Sequence, residues 1–194
     1  MNADNTTQLV LALLGFALVA SALGWTAAGR VIWTPVSLVA LAAAAVVAAV
    51  ADDIAAGRVA VTVLVALAGL LAVIGGGPVT TRVFAFVDSS ERTTAAASDG
   101  ASDGASLDRA GGAGDVLRGG AWIGALERLA VFAGLAAGFP EGVAIVLALK
   151  GVGRFPDLRQ DQAHGGTTER FIIGTFSSVL WAAACAGMVA LVRR

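Results

Sequence analysis

Charge is scarce in this chain: only 14% of its 194 residues are Asp, Glu, Lys or Arg, where an ordinary soluble domain carries about 25%. Hydrophobic residues make up 57%, and the mean hydropathy is +0.82. The apolar residues are gathered into long uncharged runs, which excludes a soluble globular enzyme and a disordered chain. Cysteine is nearly absent too. The one thiol, Cys185, cannot close an internal disulfide, so a disulfide scaffold is excluded; within its apolar run it reads as a small packing residue. Histidine occurs once, at His164, so the chain lacks the Cys/His clusters that hold zinc or haem, and no cofactor is expected. An excess of positive charge is missing as well. A net charge of −1 gives no basic surface for neutralising phosphates and excludes a nucleic-acid binder.

What is present is a set of membrane-length segments. A transmembrane helix takes about 20 mostly apolar residues to cross about 30 Å of hydrocarbon. Residues 8–28, 31–51, 59–79 and 171–192 meet that length with no internal charge. A fifth segment, 121–138, contains Glu127 and Arg128, and a sixth, 141–155, is short and contains Lys150 and Arg154. The expected fold is therefore all-α: a polytopic transmembrane bundle of about six spans, three in residues 1–87 and three in 119–194. No Lys or Arg precedes the first span, so it lacks the basic start of a signal peptide and is expected to be retained.

Residues 88–118 differ from the rest. They hold six acids, three arginines, and Leu107, Val116 and Leu117 as their only large aliphatics. Such a stretch buries too little apolar surface to offset its ordering entropy, and is expected to be a flexible acidic linker. Gly75-Gly76-Gly77-Pro78 reads as the end of, or a bend in, the third span. Glycines four apart at Gly120 and Gly124 and at Gly134 and Gly138, with Ala183 and Gly187, match small-xxx-small spacing and predict close helix packing there.

Orientation follows from the positive-inside rule. With the N-terminus outside and six crossings, nine Lys and Arg fall inside and three outside, with Arg128 left within a span. Trp25, Trp33 and Trp122 then lie near the inner interface, where indole rings prefer to sit. Both termini are expected outside the cell membrane and the linker in the cytoplasm.

The candidate site is a charged constellation. Charges in apolar spans cost at least about 2.5–3.5 kcal/mol each on insertion scales, so they pair, snorkel or line a polar cavity. From the turn at Phe139 and Pro140, a rise of 1.5 Å per residue puts Glu127 about 18 Å along one helix. The same rise puts Lys150 about 15 Å and Arg154 about 21 Å down the returning one. An antiparallel hairpin thus brings Glu127 and Arg128 level with Lys150 and Arg154, while Glu169 enters from the inner side at the start of the last span. One reading is a structural salt-bridge network at the inner interface; the other is a site for an anionic headgroup, an ion or a proton path. No Ser/His, paired-Asp or metal-ligand pattern lies in the spans, so no catalytic residue is assigned and an enzyme ranks last.

Ile123-Gly124, Leu126-Glu127-Arg128-Leu129, Ala148-Leu149-Lys150, Arg154-Phe155 with Asp157-Leu158, Glu169, and Ile173-Gly174-Thr175 with Ser178 form an ordered set. In these pieces residues 119–192 resemble the C-terminal half of a family of prokaryotic multi-span membrane proteins of unknown function. That resemblance implies a shared membrane module. The N-terminal half of that family, with a histidine and an aspartate early in its first helix, is replaced here by three uncharged spans. The expected function is a structural or accessory membrane role, with the bilayer, anionic headgroups or another membrane protein as partners and homo-oligomerisation left open. The alternative is a small transporter or channel using Glu127, Arg128 and Lys150 as a polar pathway.

Overall fold

The structure is a computed structural model that describes residues 3–26, 29–51, 57–98, 113–160 and 166–193; of these, the side chains of 3, 90–98, 113–119, 154–160 and 166–167 are not described. The described residues are all-α, in six helices: α1 (Ala3–Leu23), α2 (Gly29–Val50), α3 (Arg58–Ser98), α4 (Ala113–Ala136), α5 (Glu141–Gln160) and α6 (Gly166–Val192). Four of them, α1, α2, α3 and α6, are long and apolar enough to cross a membrane.

The turns are built from local chemistry. Between α1 and α2, the Thr26 hydroxyl donates to the Leu23 carbonyl (2.8 Å) and accepts the Gly29 amide (3.0 Å), closing one helix and opening the next. A Cβ at Gly29 would stand 2.3 Å from the Leu23 carbonyl oxygen, so this turn needs glycine. Between α4 and α5, Gly138 takes a left-handed φ of 77°. The amides of Gly138 and Phe139 bond back to the carbonyls of Leu135 (3.1 Å) and Gly134 (2.8 Å), a Schellman stop that reverses the chain just before Pro140.

Packing centres on α3, which touches α1, α2, α4 and α6, while α5 packs on α4. Two three-helix groups thus meet along α3. The core is largely small: Ala17 and Ala20, Ala40, Ala44 and Ala48, Ala68 and Ala72, Ala182 and Ala186 are buried, joined by Leu14, Leu64, Leu71, Phe132, Trp181 and Met188. Large apolar side chains face outward instead, among them Phe16, Val19, Val39, Val46, Leu70 and Leu180. Cys185 is buried in the core, as its apolar run implied.

Three expectations need correction. The third span does not end at Pro78, because α3 runs through the proline to Ser98. Its last turns therefore occupy the start of the expected linker, and α4 begins at Ala113 inside its far end; residues 99–112, with the rest of that linker, lie outside the described residues. The predicted small-xxx-small contacts are also misplaced. A Cβ at Gly120 or Gly187 would meet nothing within 4 Å, Gly138 serves the turn, and Gly124 meets Arg128 of its own helix. Close approach occurs instead at Gly69, Gly75, Gly76, Gly77 and Gly174, where aromatic and arginine side chains from other elements lie against the backbone.

Candidate functional site

Glu127 and Arg128 are adjacent on α4, so their side chains leave the helix about 100° apart, at 3.6 residues per turn. This divides their roles. Glu127 faces α5, where Lys150 Nζ stands 2.5 Å from its Oε2, with the two side chains 15% and 22% exposed. The ammonium also lies 5.7 Å from the Phe171 ring centroid, within cation–π range, so Lys150 ties α5 to both α4 and α6. The hairpin arithmetic therefore located this pair.

Arg128 does not join it. Its side chain turns into the core, only 7% exposed, where Nε donates to the Val73 carbonyl of α3 (3.1 Å) and Nη1 to Ser178 Oγ of α6 (3.4 Å). Among the described residues no carboxylate lies within ion-pair distance of it. The charge is instead solvated by a helix carbonyl and a hydroxyl, and α4 is fastened to α3 and α6. The Arg154 side chain lies outside the described residues. Glu169 is exposed in the first turn of α6 and is not brought to the pair. Its neighbour Arg170 pairs with Asp88 of α3 and lies 6.0 Å from the Phe84 ring.

What the sequence reading missed is the seat that receives Arg128. Gly75, Gly76 and Gly77 each accept a side chain from a different element. A Cβ at Gly75 would fall 2.5 Å from Trp181 of α6, at Gly76 2.2 Å from Arg128 Cδ, and at Gly77 2.8 Å from Trp25 of the α1–α2 turn. Each side chain then donates to a carbonyl just behind its glycine. Trp181 Nε1 bonds Leu71 (3.1 Å), Arg128 Nε bonds Val73 (3.1 Å), and Trp25 Nε1 bonds Ile74 (3.0 Å). The last bond has a specific cause. Pro78 has no amide hydrogen, so the carbonyl of Ile74 lacks its usual i+4 donor, and the indole supplies one.

By intrinsic propensity three glycines and a proline disfavour helix by roughly 6 kcal/mol relative to alanine. Three side chains laid against the bare backbone offset that deficit with packing and hydrogen bonds. The available signal was the run itself: four helix-breaking residues at the end of an apolar span, with tryptophans and a lone arginine elsewhere to fill it.

The site's position follows from helix rise. Pro78 is about 30 Å along α3 from Arg58, one hydrocarbon thickness. Arg128, the Glu127 and Lys150 pair and the glycine seat thus gather near one end of the apolar slab. Around that end, described side chains include Arg30, Arg82, Arg128, Lys150 and Arg170 together with Asp88, Glu127 and Glu169. No group of three His, Cys, Asp or Glu able to hold a metal ion occurs among the described residues. No protein-family model, curated protein or solved structure matches the chain.

Proposed function

We propose that this protein is a multi-pass integral membrane protein of structural or accessory role, with six crossings, both termini outside the cell membrane and the segment after α3 on the cytoplasmic side. Cations at its inner end, Arg30, Arg82 and Arg170, take an anionic lipid headgroup or an acidic partner surface. The observation that carries the reading is how the buried charges are used: Arg128 on Val73 and Ser178, and Glu127 on Lys150, all serve contacts between helices. Groups so engaged are framework and leave little for a reaction centre. The pattern of small residues inside and large apolar residues outside supports a lipid surround. Lipid tails solvate an outward leucine as well as a core does, whereas helices associate in lipid by close packing of small residues.

Native mass spectrometry of protein released from vesicles of mixed zwitterionic and anionic phospholipids tests the headgroup. Retained anionic lipid, lost on Arg30→Gln with Arg82→Gln, is expected; equal retention of both lipid classes refutes it. In a Cys185→Ala background, an impermeant maleimide added to intact cells is expected to label Asn5→Cys and spare Ser89→Cys. Labelling at 89 from outside overturns the topology. The transporter reading draws on one observation, the mostly buried pair of Glu127 on α4 and Lys150 on α5, a helix that packs chiefly against α4. It predicts tracer flux in proteoliposomes that Glu127→Gln abolishes.

A further inference from the structure

We propose that residues 75–78 of α3 are a latched hinge, on which the inner arm of the helix, residues 79–98, swings when the latch side chains withdraw. In most helices stiffness comes from an unbroken ladder of backbone bonds reinforced by side chains stacked at i and i+4. This segment lacks both. Pro78 removes one rung and frees the carbonyl of Ile74, and three consecutive glycines have no side chains to stack. Elsewhere such a sequence kinks; here α3 remains one helix from Arg58 to Ser98.

Its continuity coincides with three donors on Leu71, Val73 and Ile74, delivered by Trp181, Arg128 and Trp25. Each comes from a different element: α6, α4 and the α1–α2 turn. A shift of any of the three relative to α3 therefore withdraws a donor from the weakest stretch of the helix. The arm beyond has an attachment of its own. Phe84 and Thr80 lie over Gly174 of α6, and Asp88 pairs with Arg170 in a largely exposed contact. Thr80, Phe84 and Asp88 are four residues apart, so one stripe holds the arm to α6 while the latch holds its base. The device converts rearrangement among α1, α4 and α6 into movement of the arm, and it is independent of headgroup binding.

Spin labels at Ala66 and Ala85, both exposed, bracket the hinge and are separated by about 28 Å of straight helix. With Cys185→Ala as background, pulsed electron-electron distance measurement on the full chain in nanodiscs is expected to give one narrow distribution. Arg128→Gln is expected to add a shorter-distance population. Pro78→Ala in the same molecule is expected to remove that population, because the restored amide closes the rung to Ile74. Should Arg128→Gln fail to fold, Trp25→Phe withdraws a single donor and leaves the charge in place, with the same expected second population. A folded latch variant that keeps the single parental distance overturns the proposal. So does a shorter population that persists after Pro78→Ala.

Discussion

Gly76→Ala tests the seat most directly, because the added atom is defined. The new Cβ would lie 2.2 Å from Arg128 Cδ and 2.5 Å from Nε, so the arginine must retreat by more than 1 Å to reach ordinary contact at about 3.4 Å or beyond. That retreat breaks the 3.1 Å bond to Val73 and the 3.4 Å bond to Ser178. Overpacking costs about 1–3 kcal/mol and losing hydrogen bonds from a charged group about 1.5–3 kcal/mol. Against this, alanine is the better helix former by about 1 kcal/mol. The expected net loss is about 2–4 kcal/mol, roughly 5–10 °C in unfolding midpoint for a chain of this size.

The protein carries its own reporter for this measurement. Cys185 is fully buried in the core, so a thiol-reactive fluorogenic dye reads its exposure on heating in mild detergent. The decisive comparison is the double-mutant cycle. With Arg128→Ala already in place the clash has no partner, and Gly76→Ala should become neutral or stabilising by about 1 kcal/mol. Equal destabilisation by Gly76→Ala in both backgrounds would refute the argument, since the penalty would then arise from something other than Arg128.

Four other variants have distinct expectations by the same readout. Trp25→Phe removes the donor to Ile74 and should cost about 1 kcal/mol in the parent but close to nothing beside Pro78→Ala, where a backbone amide takes over. Glu127→Gln strands the Lys150 ammonium; breaking a buried pair costs about 3–5 kcal/mol, and partial exposure here lowers the expectation to about 2–3 kcal/mol. Glu127→Lys with Lys150→Glu should recover part of that loss, short of all of it, because a carboxylate replaces the cation beside the Phe171 ring. No recovery beyond the single variants would mean the two groups do not act as a pair. Asp88→Asn, in an exposed pair with Arg170, should move stability by less than about 1 kcal/mol, and by less still at high salt.

The helices were legible because hydropathy and length alone decide where about 20 residues prefer lipid to water. Glu127 and Lys150 were legible for a related reason: they lie on consecutive helices joined by a tight turn, and rise per residue fixes their level. Arg128 was not. Its partners come from α3, 55 residues earlier, and α6, 50 residues later, and helix rise says nothing about which distant face approaches. Residues 75–78 do not end the span, as one of the two readings had it, because glycine and proline were judged there by local propensity. Locally they end helices; in the assembled bundle their missing side chains and missing amide are what Trp25, Arg128 and Trp181 occupy. The helical course of α3 beyond residue 87 was not legible, because Thr80, Phe84 and Asp88 hold that arm to α6, more than 80 residues later.

The same contacts bear on how α4 and α5, which carry Glu127, Arg128 and Lys150, assemble with the four apolar helices. On insertion scales Glu127, Arg128 and Lys150 each oppose entry into hydrocarbon by at least about 2.5–3.5 kcal/mol. As an α4–α5 hairpin, two of these charges become one neutral pair, and the opposition left is that of Arg128. Its glycine seat on α3 precedes it in the chain, so a receiving backbone with a carbonyl at Val73 exists before α4 is complete. The second acceptor, Ser178, and the Trp181 indole that fills Gly75 arrive only with α6. The charges placed in the second half are therefore ordered as a dependency. The hairpin needs its own ion pair, Arg128 needs α3, and the last helix closes the arrangement by meeting both.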